Sequence, residues 1–155
     1  MIVTYRMMFL LSILLPVTIS AQCTLTPDSE NVVATQLAGD WQINRDLPDF
    51  NSGYEKTAIT FTDNPSIVDM LPEEYCDVGP LFMAGEMTYI EEQVTYPYVL
   101  TSIHGNPNIL FLCSFDYLCS FKLMIARAED KTKDILFIGG RQNNQPFSAF
   151  SRMEI

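Results

Sequence analysis

The sequence predicts an all-β fold, an antiparallel up-and-down barrel of about eight strands with a short N-terminal helix. Three observations predict it. Apolar and polar residues alternate with period two in short runs between Trp41 and Met153, with one lapse between Asp63 and Pro80. Turn residues interrupt that alternation at regular, short spacing. Helical signals are confined to two brief stretches. Eight such runs joined by short turns fit a barrel or a sandwich.

Taken in order, the chain starts with Arg6, an apolar run from Met7 to Val17 broken by Pro16, and the small residues Ser20 and Ala21. A positive start, an apolar run and a small-residue exit describe a secretory signal at 1–21. Residues 22–155 then form one domain. No later stretch approaches the apolar length of a membrane-spanning helix, so no membrane span is expected. Thr26-Pro27-Asp28-Ser29-Glu30 reads as a hydroxyl cap with proline at a first helical position. Val32, Val33 and Leu37 give the helix an apolar side, and Gly39 stops it.

Strand signals follow. Trp41 and Ile43 alternate with Gln42 and Asn44, and Ile59 and Phe61 alternate with Thr60 and Thr62. Between Asp63 and Pro80 the pattern lapses. Pro65, Ile67, Val68 and Leu71 suit one or two helical turns before Pro72. Further runs are expected at Leu81–Ile90, Tyr98–His104, Ile109–Ser114, Phe121–Ala128, Asp134–Gly139 and Phe147–Met153. The turn Gly105-Asn106-Pro107-Asn108, the charged Glu129–Lys133 and the polar Gly140–Gln145 separate the later ones.

Charge and cysteine content bound the partners. The whole chain carries −10, and loss of Arg6 with the signal makes it one unit more negative. Such a field repels phosphate backbones, so nucleic acid is excluded as a partner, and it is compatible with cationic ligands or calcium-rich surroundings. An apolar fraction of 48% argues against disorder. Cys23, Cys76, Cys113 and Cys119 read as disulfides in an oxidising compartment, with three possible pairings. We favour Cys113–Cys119 clamping a hairpin and Cys23–Cys76 tying down the mature N-terminus. A metal centre is not expected, because no Cys-x-x-Cys pair exists and His104 is the sole histidine. The acidic stretch with Asp69, Glu73, Glu74 and Asp77 lacks the spacing and central glycine of an EF-hand loop, and reads as a solvated loop.

Catalytic motifs are missing. There is no nucleophile elbow, zinc-binding helix motif, phosphate-cradling glycine loop or dinucleotide fingerprint. His104 beside its turn reads as a polar strand-end residue rather than a general base. We therefore expect no enzyme, no catalytic residue and no cofactor. What remains is an apolar interior. Phe61, Met83, Met87, Tyr89, Phe121, Leu123 and Ile125 are candidates for a wall that would suit a small hydrophobic molecule such as a lipid, pigment or odorant. The same residues could simply fill a solid core.

Three segments resemble a known family. Leu37-Ala38-Gly39-Asp40-Trp41 is similar to the Gly-x-Trp opening of the lipocalins. Phe115-Asp116-Tyr117 resembles their Thr-Asp-Tyr motif with Phe in place of Thr. Ile135–Arg141 resembles their last barrel strand, which ends in arginine. The resemblance implies a barrel whose base is closed by a cation–π contact between Trp41 and Arg141, with Arg152 as the rival partner. It also implies a sixth strand before Phe121, for which Asp63–Pro80 is the remaining place. The function it implies is carriage of a small hydrophobic ligand. The alternative is an acidic extracellular matrix or surface protein with a packed core, active in a calcium-rich matrix.

Overall fold

The alternating runs pair in chain order and close on themselves. A computed structural model describes residues 23–47, 58–73, 76–77, 79–103, 106–111, 120–140 and 147–153. One short helix, α1 (Val32–Gln36), precedes eight strands: β1 (Gly39–Ile43), β2 (Ala58–Asp63), β3 (Leu81–Tyr89), β4 (Val94–Ile103), β5 (Asn106–Phe111), β6 (Ser120–Ala126), β7 (Ile135–Gly140) and β8 (Ser148–Arg152). Each strand pairs antiparallel with the next, and β8 returns to β1, giving a closed eight-stranded barrel. Closure leaves no unpaired sheet edge to template aggregation.

Register places one residue set inside. Directly opposed residues share a face, so the pairings Met83↔Leu100↔Leu110↔Phe121 and Leu123↔Ile138 carry the inward positions around the barrel. Trp41, Phe61, Met87, Tyr98, Leu136 and Phe150 join the same apolar cluster, with Val33 and Leu37 of the helical segment added from one end. A second, smaller cluster lies on the outer face of β3, β4 and β5. There Ala84, Val99, Ile103 and Ile109 are covered by Ile67 and Val68 of a 3-10 helix, Pro65–Met70. Leu25 completes the cover by bridging to Leu81. The Cys23–Cys76 disulfide, with Cα atoms 4.9 Å apart, ties this outer layer together. It closes a loop across a separation of 53 residues, which in the chain-entropy account contributes about 4 kcal/mol.

Several local expectations are corrected. The helix cap is Asn31 rather than Thr26: the Asn31 side chain accepts from the Ala34 N–H at 3.1 Å. Thr26 is extended because its N–H donates to the Leu81 carbonyl. Among the described residues no strand forms between Asp63 and Leu81; the 3-10 helix Pro65–Met70 takes up part of that stretch, and the barrel closes through β8. β4 starts at Val94, upstream of Pro97, where the sequence signal had lapsed. Pro97 pairs with Glu86 of β3 and lies before Val99, where the pairing of β4 with β5 begins, so this part of β4 has one partner strand among the described residues. Asn106 and Pro107 belong to β5 and not to the preceding turn, since Asn106 already pairs with Ile103.

Candidate functional site: a closed base and an apolar mouth

The two ends of the barrel differ. The chain enters β1 from α1, so the helix sits at the end formed by the start of β1, the end of β2, the start of β3 and the end of β8. Gly39 makes that arrival possible. Its φ of +130° is a conformation only glycine adopts readily, and a Cβ there would lie 3.0 Å from Arg152 Nη1. Trp41, two residues on, is fully buried and donates its indole N–H to the Leu37 carbonyl at 2.8 Å.

Arg152 covers it. Trp41 and Arg152 are paired in register, and the guanidinium carbon stands 4.3 Å from the indole centroid. The same guanidinium donates to the carbonyls of Gln36 and Ala38, pinning the helix end, and lies 3.9 Å from the fully buried Asp134 carboxylate. Asp134 in turn accepts from the Ala128 N–H at 2.9 Å. The base contact expected of Arg141 is thus made by Arg152, because the strand that pairs with β1 is β8. Arg141 itself lies outside the described residues, as do His104, Phe115-Asp116-Tyr117 and the expected Cys113–Cys119 pair.

Above the base the interior is solid. Trp41, Ile59, Tyr98, Leu100, Leu136 and Phe150 expose none of their surface, so protein touches them on every side. Tyr98 crosses this layer. Its hydroxyl donates to the Thr62 carbonyl at 3.2 Å and approaches Met83 Sδ at 3.5 Å, and its ring meets Phe61 edge-on at 5.7 Å. Burial, with a smaller contribution from the negative charge of Asp63, raises the phenol far above its ordinary pKa, so it stays protonated throughout the physiological range.

All seven wall residues named from sequence fall in or against the inner cluster. They do not share one environment. Phe61, Met83, Met87, Leu123 and Ile125 are buried in the packed layer, whereas Tyr89 and Phe121 are only half-buried. Tyr89 and Phe121 lie toward the end opposite α1, where Ile43 and Tyr96 are half-buried on the same inward face. Tyr89 and Tyr96 meet edge-on, with centroids 6.0 Å apart. Ile90 and Val94, on the hairpin beside them, are exposed large apolar residues. Four apolar side chains, one each on β1, β3, β4 and β6, therefore form a partial ring at this end above a packed floor. The ring escaped sequence reading at Ile43 and Tyr96: Ile43 ends a short run, and Tyr96 lies next to Pro97.

Among the described residues no group of three or more His, Cys, Asp or Glu side chains could hold a metal ion. Asp69, Glu73 and Asp77 are exposed on the outer layer. No helix among the described residues is long and apolar enough to cross a membrane.

Neither a family model, nor a curated protein, nor a solved structure matches the chain.

Proposed function

We propose that the protein is a secreted, non-enzymatic, lipocalin-like barrel that holds a small hydrophobic molecule at its mouth. The observation that carries this reading is the half-buried inward ring of Ile43, Tyr89, Tyr96 and Phe121 above a floor that exposes almost nothing. Partly exposed aromatics on the inward face of a barrel are what a binding site offers before its ligand arrives. The disulfide between Cys23 and Cys76 is consistent with an extracellular location. A short helix running into Gly39-Asp40-Trp41, with an arginine stacked on the tryptophan, supports the likeness to lipocalins. Lipids, pigments and odorants suit such a ring, each with an apolar body and few groups to satisfy.

The packed floor favours a second reading, an acidic matrix or surface protein with no small-molecule ligand. Its exposed acids Asp69, Glu73 and Asp77 would then face a calcium-rich matrix. Native mass spectrometry of the secreted, oxidised protein, before and after organic extraction, separates the two. The carrier reading expects a stoichiometric extra mass that extraction removes. A bare polypeptide mass, with no uptake from fatty acids, retinoids and pigments, would contradict it.

A further inference from the structure

Residues 25–31 form a strap across the helix end of the barrel, extended at Leu25 and turning into the Asn31 cap. Between this strap, α1 and the start of β3 lies a cleft of about 460 Å³, within the size range of small-molecule sites. Phe82 and Met83 line it, with Leu25 and Ala34 as apolar walls. Asp63, at the end of β2, and Asp28, on the strap, bring two carboxylates to it, and no basic residue lines it.

That combination discriminates between ligand classes. An anion would meet two carboxylates in a chain of net charge −10. A neutral apolar molecule would use Phe82 and Met83 but gain nothing from the two exposed carboxylates beside them. A divalent cation would need six or more oxygens, and apolar side chains line much of the cleft. An organic cation uses both features, with its ammonium against the carboxylates and its body on Phe82 and Met83.

We infer that this cleft binds a small protonated amine with an aromatic or short alkyl body. The site is separate from the mouth, at the opposite end of the barrel. Phenethylamine is the probe, titrated into the full oxidised protein and followed by methionine-methyl NMR, with phenethyl alcohol and phenylpropionate as its neutral and anionic counterparts. Phenethylamine should shift the Met83 methyl saturably, and phenylpropionate should not. Asp63→Asn and Asp28→Asn should each weaken binding by about five-fold, the scale of one partly exposed ion pair. Glu91→Gln, on the far hairpin, should leave it unchanged. Equal binding of the alcohol and the amine, or indifference to both Asp substitutions, overturns the inference. Loss of amine binding in Tyr96→Ser would also overturn it by moving the amine to the mouth, and would leave the mouth reading intact.

Discussion

Replacing Arg152 with methionine is expected to destabilise the barrel by about 3–5 kcal/mol, the cost of breaking a buried ion pair from one side. Methionine keeps much of the apolar stem and removes the charge. Asp134, fully buried, would then lose the cation that faces it among the described residues, and the Gln36 and Ala38 carbonyls would lose the donations from Arg152. Trp41 would lose the cation over its ring. Lysine should recover only a minor part, because an ammonium cannot lie flat on the indole while donating to two carbonyls. Adding Asp134→Leu to the Arg152→Met chain should restore part of the loss by removing the orphaned carboxylate. Urea unfolding followed by the emission of Trp41, the chain's single tryptophan, measures all of these. A change below about 1 kcal/mol for Arg152→Met would place the pair among ordinary surface ion pairs and contradict the base described above.

Gly85→Ala should be at least as damaging, by about 4 kcal/mol or more. An added Cβ would stand 1.8 Å from the Thr62 carbonyl oxygen and 2.8 Å from the Tyr98 hydroxyl. The first neighbour is backbone of the adjacent strand, which cannot rotate away, so β2 and β3 must part where Asp63 pairs with Gly85. Gly139→Ala is the informative contrast. Its Cβ would meet the Phe147 ring at 2.8 Å, a side chain able to swing aside, and the cost should be smaller. Circular dichroism melts of the two variants give the comparison. Equal melting temperatures would contradict the close strand approach at Gly85.

These two positions mark the limits of sequence reading in this chain. Alternation at Trp41, Phe61 and Leu123 made strand identity and inward face legible, because a half-buried strand leaves a period-two trace. The Cys23–Cys76 bridge was legible once Cys113 and Cys119 were assigned to one hairpin, which leaves the other two cysteines to each other. The sequence left two arginines, Arg141 and Arg152, as partners of Trp41, because choosing between them requires knowing which strand returns to β1; Arg152 is the one found over the indole. The outer layer of Ile67, Val99 and Ile109 left little trace: where a strand is covered on both faces, alternation disappears, as it does from Tyr98 to Leu100. The candidate wall was right in face, but depth along the strand, which separates Phe121 from Leu123, depends on tilt and closure. No local pattern encodes those.

The claim that the mouth holds an apolar ligand is tested most directly with a neutral apolar fluorophore, N-phenyl-1-naphthylamine, titrated into the extracted, oxidised protein and into Tyr96→Ser and Phe121→Ser. Both side chains are half-buried, so each variant should keep the fold, with Trp41 emission as the check. The account predicts one bound probe per chain, weakened about five-fold or more in each variant, as removal of one lining aromatic implies. Absence of probe binding to the unmodified protein, or equal binding by all three chains, would contradict it.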